Sequence, residues 1–171
     1  MWDAIAEGAA AENELWREAL LPADERRLEA VFSPLAPDEL RLGLETIYEG
    51  YLVHYGEPRL FAPVDADTAL LLGDYLYAHG LSRVAETGNV AAVADLAELI
   101  SLCAQARAEQ RDGDGAAWAA TASQLGRSDL EASREMLRLG RDGAPLEAAA
   151  RAVAGDECVD RALETHARLV G

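Results

Sequence analysis

The sequence has no lysine; all 15 of its cations are arginine. That removes Schiff-base chemistry, lysine general bases and the phosphate-gripping lysine of P-loop proteins. Cysteine is nearly absent too. Cys103 and Cys158 are the only two, and each falls in an apparent helix, so both are expected as free thiols. No apolar run approaches the ~20 residues that a membrane-spanning helix needs. The first residues, MWDAIAEGAAAENELW, are acidic and lack the basic region of a signal peptide. The expectation is a cytoplasmic protein with no membrane span. Positive charge is scarce: 31 acids against 15 arginines leave a net charge of −16. Nucleic acid and anionic membrane are therefore unfavourable partners, because both select a basic surface.

Several motifs are missing as well. No Gly-x-Ser-x-Gly, His-Glu-x-x-His, dinucleotide glycine fingerprint or zinc-type Cys/His set occurs. His54, His79 and His166 share no metal-ligand spacing and are expected to be structural or surface residues. Strand-like alternation is also lacking.

Half of the 171 residues are apolar, enough for a packed core. Apolar positions recur at the helical period between Pro and Gly breaks. The expected class is all-α: a single-domain bundle of about eight helices over 1–171, with an alanine-rich, looser part at 113–171. Helices are expected at 2–21, 24–32, 37–55, 66–87, 90–111 and 116–125. Three more are expected: one from a Ser128/Glu131 capping box to Gly140, one from Pro145 to 154 and one from Asp156 to 170. Asp65 or Asp67 is expected to cap the helix at 66–87, and Gly88 to end it. In the helix at 90–111, Asp95, Glu98, Gln105 and Glu109 are expected to face outward.

The stretch 69–87, ALLLGDYLYAHGLSRVAET, is the most apolar; its first half is apolar nearly all round and is expected to be buried on every side. Asp74 falls on the stripe of Leu70, Ala78, Leu81 and Ala85. It is therefore expected to be a buried, partnered carboxylate. Gly73 beside it implies close approach of another backbone.

Residues 70–100, LLLGDYLYAHGLSRVAETGNVAAVADLAELI, resemble the Gly-Asp-Tyr helix and its successor in proteins of the trans-isoprenyl diphosphate synthase fold. Within that fold the resemblance is nearest to the non-catalytic component of two-component heptaprenyl diphosphate synthases. The shared motif is Gly73-Asp74-Tyr75, followed by the turn at Gly88-Asn89. The resemblance implies an isoprenoid-synthase-like bundle. It would be a homodimer, or would pair with a prenyl diphosphate synthase and influence product chain length. The helices matched to dimerisation are 67–87 and 90–111, with Leu72 and Leu76 expected at the contact.

Such synthases bind Mg²⁺ and diphosphate through an aspartate-rich motif. No DDxxD precedes the Gly-Asp-Tyr helix here, and no basic cluster stands ready for a second diphosphate. No cofactor is expected, and Mg²⁺ only where a catalytic partner supplies the aspartates. The one acidic run with suitable spacing is Asp156, Glu157 and Asp160, a weak metal candidate that reads first as a helix start. Asp112-Gly113-Asp114-Gly115 reads as a turn. Tyr48, Tyr51 and Tyr75 are candidates to line a hydrophobic-chain cavity, against the plainer reading as core aromatics. Two alternatives stay open. One is a helical interaction or regulatory protein unrelated to prenyl chemistry. The other is a small enzyme on an apolar substrate with Asp74 as acid or base.

Overall fold

The computed structural model describes residues 1–127, 129–140 and 142–171. It is all-α, with nine α-helices and no strands among the described residues. The architecture starts from four glycines. Gly43 and Gly50 lie seven apart on one helix, as do Gly73 and Gly80 on another. Seven residues are two turns, so each pair shares a face. The helices they mark, α3 (Arg41–Tyr55) and α4 (Ala66–Glu86), run antiparallel. Gly43 meets Gly80, and Gly50 meets Gly73. A Cβ on Gly50 would stand 2.9 Å from the Gly73 carbonyl oxygen, and one on Gly80 would stand 2.8 Å from that of Gly43. Here backbone touches backbone.

This contact makes α3 the central helix. Every residue from Gly43 to Val53 is buried. By contrast α4 is buried on one side only, through Leu72, Gly73, Leu76, Gly80 and Val84. The expectation of burial all round is corrected: Leu70 and Leu71 are 55% and 56% exposed. The glycine stripe faces inward, so the stripe containing Asp74 faces water. Local signals did fix the ends of α4. The Asp65 side chain accepts from Thr68 N–H at 2.7 Å, and Gly88 follows with φ +76.

Two layers flank the α3–α4 pair. On one side α1 (Trp2–Glu12) and α2 (Glu14–Glu18) bring Ile5, Ala9 and Trp16 onto Phe61, Leu72 and Leu76. On the other lie α5 (Val90–Ala108), α6 (Asp114–Ser123), α7 (Glu131–Arg138), α8 (Ala144–Ala154) and α9 (Asp156–Val170). Helix α6 is buried along its whole length. Its sequence, DGAAWAATAS, has small side chains that admit neighbouring helices closely. Trp118, Leu146 and Val159 share one core with α3.

The helix expected at 2–21 is split at Asn13. That residue is extended (φ −148) and caps α2 through its side chain. The helix expected at 24–32 does not form. Instead the chain runs beside the 59–62 loop: Leu21 N–H donates to Leu60 O, Ala62 N–H to Ala19 O and Arg27 N–H to Arg59 O. The helix expected at 37–55 opens with a 3₁₀ turn at Asp38–Leu40. Ser128 of the expected capping box lies outside the described residues, and α7 begins after Leu130. Cys103 is buried and Cys158 exposed, both free.

Candidate functional site

Helix α3 carries Glu45 and Glu49 one turn apart, so both carboxylates leave on one face. Both are fully buried. The loop after α3 returns Arg59, also fully buried, between them. Its Nη1 donates to Glu45 Oε1 at 2.6 Å and to the Glu29 carbonyl at 2.6 Å; its Nε donates to Glu49 Oε2 at 3.0 Å. Glu49 Oε1 accepts the backbone N–H groups of Arg59 and Leu60, each at 2.7 Å. The guanidinium is sandwiched by Trp2 and Tyr48, 4.9 and 5.0 Å from the ring centroids. Burial raises the Glu45 carboxyl above its ordinary range, and the Arg59 charge only partly offsets this.

The polar chain continues through Tyr48, whose hydroxyl lies 2.9 Å from His166 Nδ1. His166 Nε2 stands 3.4 Å from Asp114 Oδ2 without a well-formed hydrogen bond. Tyr51 donates its hydroxyl to the same Asp114 oxygen. Arg107 pairs with that oxygen at 2.6 Å and donates from Nε to the Tyr51 hydroxyl at 2.9 Å. Burial alone would raise the Asp114 carboxyl. The contacts with His166, Tyr51 and Arg107 outweigh it and hold the group well below its ordinary range. Burial pushes the hydroxyls of Tyr48 and Tyr51 well up, so both stay neutral.

This network ends at a cleft beside the α5–α6 turn. A cavity of about 330 Å³ is bounded in part by Arg107, Asp114, Leu163 and His166. A second of about 550 Å³ adjoins it and shares Arg111, Asp112, Gly113 and Glu147. The turn is shaped by Gly113, whose φ of +113 suits glycine.

The residues expected from sequence are scattered. Asp74 is corrected from buried to exposed: its side chain is 65% accessible and stands 3.3 Å from His54 Nε2. Gly73 is buried at the α3 contact, but a Cβ there would strike the His54 ring; the close backbone approach is between the Gly73 carbonyl and Gly50. Tyr75 stacks on Trp16 at 5.8 Å, on the α1–α2 side. Tyr48 and Tyr51 lie in the other layer with Phe32 and Trp118. The three tyrosines therefore line no common cavity. Asp156 and Asp160 pair with Arg151 at 3.4 and 2.6 Å, and Glu157 with Arg161 at 3.0 Å. Among the described residues no three His, Cys, Asp or Glu side chains are grouped to hold a metal ion. Leu72 and Leu76 are fully buried under α1 and α2, which corrects their expected place at a subunit contact.

Sequence reasoning missed Arg59, Asp114, Arg107 and the role of His166. One signal was available: Glu45 and Glu49 share the apolar face of α3 with Tyr48 and Leu52, where a carboxylate demands a partner.

Helix α5 also differs from expectation. Asp95 is buried and takes Arg134 in two contacts of 3.1 Å. Glu98 is half-buried and paired with Arg138. Helix α7 covers these acids. The exposed residues of α5 are Val90, Ala94, Ala97, Ser101 and Ala108, none charged. On α9 the exposed residues are Asp156, Glu157, Cys158, Asp160, Arg161, Glu164, Ala167 and Arg168, nearly all charged. The contrast marks α5, on a strongly acidic chain, as a neutral small-residue face; the shorter α8, exposed at Ala144, Ala148, Ala152 and Val153, is also uncharged on its outer side.

Compared with protein-family models, with curated proteins and with solved structures, the chain matches none.

Proposed function

We propose that this chain is a non-catalytic, isoprenoid-synthase-like subunit that pairs with a prenyl diphosphate synthase and influences its product length. The neutral outer face of α5 carries this reading. Interface centres are depleted of charge; the exposed residues of α5, Val90, Ala94, Ala97, Ser101 and Ala108, share that lack of charge but not the aromatic anchors of a strong interface. It belongs to the helix that follows Gly73-Asp74-Tyr75, the stretch of the resemblance. The remaining support is chemical. The two carboxylates of α3, the helix before that motif, are held by Arg59, and the acidic run of α9 is held by Arg151 and Arg161. Mg²⁺ enters by this reading only with the partner's aspartate-rich motif. Tyr48 and Tyr51 sit in a packed aromatic cluster. Influence on chain length would therefore be exerted at the contact surface, not through a channel of this chain's own.

The runner-up is an interaction protein that uses the same face for a partner unrelated to prenyl chemistry. The enzymatic reading of Asp74 loses its main motive, because that carboxylate is not buried.

The test is association. Purify the chain alone and with a candidate synthase, and measure mass by light scattering at micromolar concentration. A complex is expected to be disrupted by Ala97→Glu and Ser101→Glu. Glu164→Arg, on the outer face of α9, should leave it intact. The chain alone should not elongate allylic diphosphate with isopentenyl diphosphate and Mg²⁺. A monomer in both preparations rejects the reading, and a complex with an unrelated protein through the same face selects the runner-up.

A further inference from the structure

A smaller cavity of about 250 Å³ lies on elements other than α4 and α5. Its wall is Arg27, Glu29, Arg59, Thr165, Arg168 and Leu169. Half of these are arginine, on a chain of net charge −16. Arg59 is fully buried, with Nε and Nη1 engaged as described. Its Nη2 is buried and has no hydrogen-bond acceptor among the described residues. A buried cationic N–H without an acceptor is costly, and native structures seldom leave one.

The other cations are only partly engaged. Arg168 donates from Nη2 to Thr165 Oγ1 at 2.9 Å, while its contact with Glu29 Oε1 is 3.5 Å, long for a charge-assisted bond. Arg27 donates from Nη1 to Glu57 Oε2 at 2.9 Å and reaches the Pro58 carbonyl at 3.2 Å. Glu29 is the one carboxylate in the wall. The partner acids Glu45 and Glu49 sit on the other edges of the Arg59 guanidinium.

We propose that this cavity binds a small oxyanion, a carboxylate or a phosphate group. Arg59 Nη2 is its buried donor, and Arg27, Arg168 and the Thr165 hydroxyl close around it. Arginine suits the task because its planar fork presents several N–H groups to two oxygens at once. The volume falls below the usual ~300–1,000 Å³ of drug-sized ligand pockets, so the ligand is a small anion or the anionic end of a larger one. The proposal is independent of the partner reading, since neither α4 nor α5 contributes to the cavity.

The experiment is isothermal titration calorimetry of the full chain with inorganic phosphate and, separately, with succinate, at constant ionic strength set by chloride. Saturable one-site binding of at least one anion is expected. Arg168→Gln and Arg27→Gln should each weaken it by about tenfold or more, and Arg17→Gln, on α2, should not. Binding of phosphate alone assigns a phosphate-bearing ligand; binding of succinate alone assigns a carboxylate. Arg59 is left intact because its removal would strand Glu45 and Glu49. The proposal falls if neither anion saturates above the chloride control, or if both arginine variants bind like the original chain.

Discussion

The backbone contact between α3 and α4 predicts opposite signs for two chemically identical substitutions. Gly80→Ala places a methyl 2.8 Å from the Gly43 carbonyl and against the Ile47 side chain. The obstacle is partly backbone, so the helices must separate along their length. Overpacking of this kind costs about 1–3 kcal/mol. The same change gains about 1 kcal/mol of helix propensity, which leaves a net loss of up to about 2 kcal/mol. Gly8→Ala in α1 receives the same propensity gain, but its methyl meets only the end of Arg83 at 3.3 Å and His79 at 3.6 Å. Those side-chain ends can move, so the net effect is a gain of about 0.5–1 kcal/mol. In a chain of this length 1 kcal/mol moves the melting temperature by about 2–4 °C. Thermal unfolding followed by circular dichroism should show Gly80→Ala melting below the original protein and Gly8→Ala above it. Two shifts of the same sign would refute the assignment of backbone contact to one glycine and not the other.

Three further substitutions test the polar groups. Asp74→Ala should change stability by under about 0.5 kcal/mol, because the carboxylate is exposed; by NMR titration the His54 pKa, already lowered by burial, should fall further once the opposing Asp74 charge is gone. Asp95→Ala strands the buried Arg134 and the Gly126 N–H that donates to Asp95 Oδ2 at 2.9 Å, so urea unfolding should report a loss of about 3–5 kcal/mol, whereas an effect under about 1 kcal/mol would mean that the pair is hydrated. Glu45 binds its proton more tightly folded than unfolded, so its contribution to stability is greatest below the ordinary value of 4.5 and falls as pH rises through the folded pKa. Glu45→Gln keeps the neutral shape and should flatten that decline as pH rises above 4.5; parallel urea midpoints for the two proteins over that rise would count against a raised Glu45. Asp114 has the opposite sign, stabilising above its ordinary 3.8 and losing that effect only at more acid pH, so it does not mask the comparison.

The helical class and many helix ends were legible because their signals are local. Asp65 and Asn89 cap with their own side chains, accepting from Thr68 and Ala92 N–H. Which face of a helix turns inward is a different matter. Periodicity arranges residues into stripes, and the stripe of Leu70, Ala78 and Leu81 competed with the one holding Leu72, Gly73, Leu76, Gly80 and Val84. Backbone contact prevailed because glycines permit an approach that leucines prevent. The paired seven-residue spacings at 43/50 and 73/80 were the available clue. Asp95 and Glu98 read as outward because they are charged, yet their partners Arg134 and Arg138 arrive on α7, some 40 residues later. The segment 24–32 has a helical pattern that lost to pairing with the 59–62 loop. Tyr48 and Tyr51 were picked out, but not their chemistry. Their partners His166 and Asp114 lie 118 and 63 residues away, a distance across which spacing carries no information.

The neutral face of α5 bears on the choice between a second copy and a different partner. Two copies would bring −16 each toward one contact. A face without charges avoids direct like-charge pairs, but the net negative charges of the two copies still repel across water. Physiological salt screens charges beyond about 8 Å, so the charges nearest the contact are the part of the repulsion that survives. Self-association through α5 must therefore strengthen as salt rises. A partner with a basic margin reverses the sign: attraction speeds the encounter, and added salt weakens it. The apolar centre contributes alike in both cases. Complementary charge around a neutral centre favours a less acidic partner over a second copy, and this electrostatic preference requires only that α5 be the surface that meets it.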